Sequence, residues 1–198
     1  MKLRIVNNVL LGLIVLVNGY VILAPLWPTL TWQFDNHTAE QQRLQTVINH
    51  APTSTKTVTP TQVKGHRVII PAMGLNQPIL EGPIYQQYQI LNKGIWRWPA
   101  SSTPDRGGNT VLIGHRFTYT DPQGVFYFLN KVHVHDELAV FWSGIAYKYR
   151  VSSIRVIAPS NTAIENPTKQ AQLTLFTCTP LWLPKNRLVV VATLESQL

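Results

Sequence analysis

The chain is short of cysteine, of acids and of charge in general. Its 198 residues include one cysteine, Cys178. A solitary thiol excludes an intrachain disulfide, a Cys-only zinc site and a CxxC redox pair. Nine acidic residues face 17 basic ones, and charged residues make up 13% of the chain. That is about half the usual share of ~25%. With 45% hydrophobic residues, so little charge excludes a disordered or coiled-coil protein. No run of Lys and Arg exists and no nucleic-acid motif is present, so the formal net charge of +8 does not point to nucleic acid. Internal repeats are absent too. Glycine is outnumbered by proline, 11 to 14, which suits a β-rich domain with rigid loops.

What is abundant comes first in the chain. Ile5 to Leu26 is a run of 22 residues whose only strongly polar members are Asn7, Asn8 and Asn18. As a helix it reaches about 33 Å, enough to cross a hydrocarbon core of ~30 Å. Lys2 and Arg4 precede it and no acid does. By the positive-inside tendency the N-terminus stays in the cytoplasm and the remainder is exported. A cleaved signal peptide is the competing reading, but its apolar core is normally ~7–15 residues. No small-x-small site closes the run; Pro25, Trp27 and Pro28 do. Residues 1–30 therefore read as an uncleaved membrane anchor. Residues 31–65 read as a stalk and linker. Within them Asp35 to His50 carries a weak helical pattern at Leu44, Val47 and Ile48, and Ala51 to Lys64 is a Thr/Pro-rich extended segment.

Residues 66–198 form the compact unit. Short β-branched and aromatic runs alternate with turn residues. Strands are predicted at Arg67 to Ile70, Gln77 to Leu80, Asn109 to Gly114, Glu137 to Trp142, Ala146 to Ile157, Leu173 to Thr177 and Arg187 to Leu194. Only Val125 to Lys131 and the stretch after Pro159 look like single helical turns. Seven or eight strands suit a closed barrel or a sandwich, and the pattern does not choose between them.

Three residues stand at strand ends, where a rigid sheet presents side chains to a ligand. Cys178 ends Leu173-Thr-Leu-Phe-Thr177. His115 ends Val111-Leu-Ile-Gly114. Arg187 opens Leu188-Val-Val-Val191. A free cysteine is more often a small buried hydrophobe. If these strands are neighbours, however, an imidazole would lie near a thiol and raise its nucleophilic fraction. An arginine, permanently charged and fork-shaped, would suit a carbonyl or developing oxyanion.

The string Thr174-Leu-Phe-Thr-Cys178 resembles the TLxTC signature of sortases, membrane-anchored cysteine transpeptidases of mainly Gram-positive bacteria. Gly114-His115 resembles the family's upstream GH motif, and Arg187 its arginine at the start of the last strand. Val68-Ile-Ile-Pro71 with Gly74-Leu75 is similar to the first barrel strand of the family. Gly107-Gly-Asn-Thr110 is similar to its PGxxGN segment, with Arg106-Gly107 where Pro-Gly is usual. The resemblance covers Arg67 to Leu194. It implies an all-β fold, the closed eight-stranded sortase barrel with short helical turns, behind a transmembrane helix and stalk. It implies cleavage of an LPxTG-like sorting signal by Cys178 through a thioester, with His115 as acid and base. Arg187 would position the signal or steady the oxyanion, and Thr177 would help shape the oxyanion hole. No metal or organic cofactor is required. The implied partners are proteins with C-terminal sorting signals, an amine of a cell-wall precursor or a pilin lysine, and the membrane. In the region around Gly114-His-Arg-Phe-Thr118 the chain looks most like class E or D enzymes. It shows no hydrophobic segment after Leu194 and no lid motif in the stalk. The loop Ala158 to Gln172 occupies the place of the family's substrate-reading loop. Tyr119, Trp96, Trp98 and Trp182 are aromatic candidates for the groove, each with ordinary packing as the plainer reading.

Other candidates are weaker. His133-Val-His135 has a zinc-chelating spacing on a predicted strand, yet no third ligand is placed near it, and a solvated edge is the plainer reading. The acids Asp105, Asp121, Asp136, Glu137 and Glu165 do not assemble into a calcium site. His37, His50 and His66 are expected in solvent. The order His then Cys excludes papain-like enzymes, and the SHGC string of L,D-transpeptidases is absent. The alternative to an enzyme is a membrane-tethered β-barrel that binds an envelope component, with Cys178 structural.

Overall fold

A computed structural model describes residues 2–34, 37–50, 65–181 and 183–197. The Thr/Pro-rich segment 51–64 and Trp182 lie outside the described residues. Three helices come first: α1 (Lys2–Leu23), α2 (Trp27–Phe34) and α3 (His37–Asn49). Nothing in α1 is buried, and it is long and apolar enough to cross a membrane. Its Asn18 amide donates to the Ile14 carbonyl one turn back, at 2.7 Å, so one polar side chain of the run is satisfied within the helix.

Eight strands follow: β1 (Arg67–Ile70), β2 (Leu75–Leu80), β3 (Ile95–Arg97), β4 (Asn109–Ile113), β5 (Glu137–Trp142), β6 (Ile145–Ile157), β7 (Gln172–Thr179) and β8 (Asn186–Gln197). A short helix, α4 (Gln87–Leu91), joins β2 to β3. The sheet closes into a barrel in the order β1-β2-β3-β4-β7-β8-β6-β5, with β5 returning to β1. Closure removes the free edges that an open sheet would expose. The pairs β2/β3 and β4/β7 are parallel and the others antiparallel. The closed eight-stranded barrel that the resemblance implies, and that the strand pattern alone did not choose, is therefore present. Ile95–Arg97 is the strand that the pattern did not show. Three residues are too few for an alternation to register, and the strand is held by two parallel partners in β2 and two antiparallel ones in β4.

Period-two alternation separates an inside from an outside. Leu112, Leu173, Leu175, Leu188, Val190 and Ala192 point into the main core, which Phe126, Leu129, Leu138, Tyr147 and Tyr149 complete. Their neighbours Val111, Phe176, Val189 and Val191 form a second apolar cluster on the outer face of β4, β7 and β8. Half-buried Trp98, Ile113, Ile157 and Ile164 pack against it. A third cluster covers the opposite wall. There Leu44 and Ile48, one turn apart on α3, press onto Ile69 and Ala139. Gln41 and Gln45 extend the seam by donating to the Ala72 carbonyl (3.1 Å) and to Glu137 (2.6 Å).

Two of the histidines expected in solvent are half-buried. His66 packs edge-on against Trp142 at 3.5 Å, and His37 stacks on Trp32 at 3.6 Å. Each ring gains an aromatic face that the local sequence does not announce. His133 and His135 lie in the turn before β5 rather than on a strand. His135 adopts a left-handed backbone (φ 78°), and the His133 side chain is 79% exposed.

Candidate active site

The site is built where β7 and β8 part. The two strands pair antiparallel, and Cys178 is directly opposite Arg187. Both belong to the outward-facing set, in phase with Phe176 and Val189. The Arg187 Nη1 donates to the Cys178 Sγ at 3.2 Å. Nine positions of sequence collapse to one cross-strand pair because only residues 180–185 connect the strands.

His115 approaches from the other side. β4 runs parallel to β7 in the register Ile113 to Phe176. Two residues further along each chain lie His115 and Cys178. Beyond the last ladder pair, the backbone N–H of Gly114 still donates to the Phe176 carbonyl, at 3.4 Å. The Thr177 hydroxyl donates to the Gly114 carbonyl at 2.7 Å in a fully buried contact. Thr177 thus ties the histidine-bearing chain to the cysteine-bearing strand. Its hydroxyl is engaged by that carbonyl, so the geometry makes it a brace rather than an open donor.

Two glycines shape the histidine loop. A Cβ on Gly114 would meet Val125 and Phe126 side-chain atoms at 2.6–2.7 Å. A Cβ on Gly124 would meet the His115 carbonyl oxygen at 2.6 Å. The loop can double back under His115 only because both positions lack a side chain. It is then held by the Phe126 N–H, which donates to the His115 carbonyl at 2.9 Å. Burial pushes the His115 imidazole below its ordinary value, and the Asp121 carboxylate partly offsets this. Neutral imidazole is therefore favoured near neutral pH.

Arg116 follows the histidine and has no role implied by the sequence pattern. Its Nη1 donates to the Thr179 hydroxyl at 2.8 Å and its Nε to the Tyr127 carbonyl at 3.4 Å. The guanidinium is a second link between the His and Cys segments. The basic residue after His115 was the available signal, but sequence does not show where a side chain turns. Asn109 was read only as part of a motif. Buried at the foot of β4, it accepts from the Thr174 hydroxyl at 2.7 Å and donates to the carbonyls of Ile164 (2.8 Å) and Asn166 (3.0 Å). It clamps the β6–β7 connection across the outer apolar cluster. Glu165 on that connection has its carboxyl raised by burial, an effect the nearby Arg187 charge opposes.

The aromatic candidates separate cleanly. Trp96 is buried, with its indole N–H on the Gly82 carbonyl at 3.0 Å. Trp98 lies half-buried at the outer cluster beside the site. Tyr119 is exposed on the histidine loop. A cleft of about 510 Å³ opens beneath the β6–β7 connection, lined by Arg97, Arg106, Asn109, Glu165 and Lys169 among others. Cys178, His115 and Arg187 are not among its lining residues. Among the described residues no group of three or more His, Cys, Asp or Glu is placed to hold a metal ion.

This arrangement can perform acyl transfer. A thiol on an outer barrel wall has a guanidinium beside it, an imidazole at the end of the adjacent strand, and an apolar track leading to it. Comparisons with known proteins agree. The family model described as the sortase domain matches residues 68–195. No curated protein sequence matches the chain significantly. Among solved structures, a Clostridium perfringens sortase D5 transpeptidase is similar at 25% identity and TM-score 0.58, covering 66% of this chain and 78% of its own. A Streptomyces avermitilis sortase E is similar at 28% identity and TM-score 0.57, covering 67% and 88%. Sortase C-1 of Actinomyces oris shares the fold at 24% identity and TM-score 0.59, covering 81% and 99%. The barrel is thus that of a transpeptidase, and the chain belongs to the sortase family.

Proposed function

We propose that the protein cleaves an LPxTG-like sorting signal and transfers the acyl portion to an amine of the cell wall or of a pilin. The observation that carries this reading is the Cys178–Arg187 cross-strand pair, 3.2 Å apart, with His115 at the end of the parallel neighbour. His115 takes the thiol proton as the Cys178 sulfur attacks the carbonyl carbon that follows Thr in the signal. The π electrons move to oxygen, and Arg187 steadies that oxyanion. On collapse the C–N bond breaks, and protonated His115 gives its proton to the departing amine. A thioester on Cys178 remains. An incoming amine attacks it, neutral His115 takes the amine's proton, and the thiolate leaves. The lowered basicity of His115 leaves its imidazole neutral at rest, so that it can accept the thiol proton that it later passes to the departing amine.

The outer apolar cluster beneath Ile164 supports a groove for the apolar residues of the signal, with Trp98 on its flank. In this reading α1 is a single-pass anchor with its N-terminus in the cytoplasm, so that the barrel works outside the cell. Membership of an enzyme family leaves the rival reading, a tethered binding barrel with a structural cysteine, without support.

The test is to incubate the full chain with a library of sorting-signal peptides and an amine, and to follow products and intact protein by mass spectrometry. The expected result is a peptide-sized adduct on the wild-type protein that amine discharges, with no adduct and no turnover in Cys178→Ala. Normal turnover by Cys178→Ala would sink the reading.

A further inference from the structure

We propose that the loop Phe117–Gly124, which follows the catalytic histidine, is seated in the lipid headgroup layer, so that the active-site rim lies at the bilayer surface. The inference rests on α1 being the membrane anchor. α1 is about 33 Å long, close to the ~30 Å of the hydrocarbon core, so its last turn emerges into the headgroups. Tyr20 lies in that turn, and its hydroxyl donates to the Tyr119 carbonyl at 3.0 Å. Tyr119 therefore shares the depth of the helix's outer end.

Three further contacts fasten Tyr127 and Phe128, just after the loop, to the membrane-exit segment. The Tyr127 hydroxyl donates to the Pro25 carbonyl and lies 2.8 Å from the Thr29 hydroxyl. Trp32 packs on Phe128 with ring centroids 4.0 Å apart. These contacts join residues about a hundred positions apart, and together they fix a height rather than a tether length. The side chains left outward suit the headgroup layer. Tyr119 is 52% exposed and Trp27 65% exposed. Tyr and Trp are the side chains that favour this layer, being apolar at one end and polar at the other.

α3 fixes the orientation. It begins beside Trp32 and ends with Asn49 at Lys148, 3.4 Å away on β6. Thirteen residues of helix carry the chain about 20 Å along the barrel. The end of the barrel holding Lys148 and Gln197 thus points away from the membrane, and the end holding His115 points toward it. The partner of this surface is the lipid headgroup layer. Its consequence is an active site held at a fixed depth, which favours acyl donors and amines that are themselves confined to the bilayer surface.

The experiment uses the full chain as Cys178→Ala, with one new cysteine labelled by bimane. One version carries Tyr119→Cys, whose contact with Tyr20 survives because it uses the backbone carbonyl. The other carries Gln197→Cys. Each is reconstituted in vesicles of phosphatidylcholine and phosphatidylglycerol containing headgroup spin-labelled lipid. Loss of most of the fluorescence at 119 and none at 197 is expected. Equal quenching at both sites, or none at either in protein that resists alkaline extraction, would overturn the proposal while leaving the anchor intact. Release of the protein by alkali would instead remove the anchor reading and this proposal with it. If Tyr119→Cys fails to fold, exposed Thr120→Cys gives the same readout.

Discussion

The barrel has two contrasting walls. On the β1–β5–β6 side the chain covers its own outer surface. α3 lays Leu44 and Ile48 on Ile69 and Ala139. An ion network surrounds the seam: Glu137 pairs with Lys148 (2.9 Å) and Arg150 (2.7 Å), and Arg150 pairs with Glu195. On the β4–β7–β8 side the outer apolar cluster is only roofed in part, by the β6–β7 connection. Charge there is spent differently, with Arg187 on a thiol and Arg116 on a hydroxyl. The same alternation of strand residues thus makes one covered wall and one that carries the candidate site. What differs is whether a helix of the same chain lies on top.

That contrast breaks most sharply at Arg187. Arg187→Ala should lower kcat/KM by about 10²–10³, the usual cost of removing an oxyanion donor, with Tm nearly unchanged. Arg187→Lys should recover little, because an ammonium lacks the guanidinium fork. Steady-state kinetics beside thermal melts would decide it, and a melt that falls in step with activity would place Arg187 on the wrong side of the comparison. Ile48→Ala makes the opposite prediction. Ile48 is fully buried on the covered wall. The loss should be about 2–3 kcal/mol of stability, since deleting buried methyls typically costs ~2–5 and α3 can settle partway into the gap. Denaturant titration should show it, with kcat of the folded protein retained.

Asn109→Ala tests the roof. It removes two hydrogen bonds to the β6–β7 connection and leaves the carbonyls of Ile164 and Asn166 without that donor. About 1–3 kcal/mol is at stake for a lost buried partner. If the connection reads the substrate, the change should raise KM for peptide more than it lowers kcat. An unchanged KM would separate the roof from recognition.

The two walls were not equally legible in the sequence. The wall of the candidate site announced itself, because β-branched strands ending in Gly-His, Thr-Cys and Arg are a linear signal. Even so, the facing of Cys178 and Arg187 depends on β7–β8 register, which residue order alone does not give. Asn109 and Arg116 act through side-chain direction across 55 and 63 positions, and no local pattern encodes that. The covered wall was nearly silent. α3 reads as a weak stalk helix because it buries only Leu44 and Ile48, and polar Gln41 and Gln45 supply further contacts with the barrel. Trp32 packs its ring on Phe128 and His37, contacts that no local pattern announces.

The smallest expected effect belongs to Glu137, at the centre of the covered wall's charges. Burial pushes its carboxyl up, but the hydrogen bond and charge of Lys148, with Gln45 and Arg150, outweigh this and hold it below its ordinary value of 4.5. A depressed folded-state value means the folded protein binds its proton less readily than the unfolded chain. The stability it contributes is therefore present above 4.5 and is lost as pH falls through the lower folded value. Glu137→Gln should flatten the acid side of the stability curve while lowering Tm slightly at neutral pH. Salt should shrink the difference, since partly exposed pairs are screened and individually weak. The wall of the candidate site should be indifferent to this exchange, so kcat/KM at neutral pH should match wild type. A loss of turnover without a loss of acid-dependent stability would show that the two walls are coupled through the barrel, not independent as their separate clusters imply.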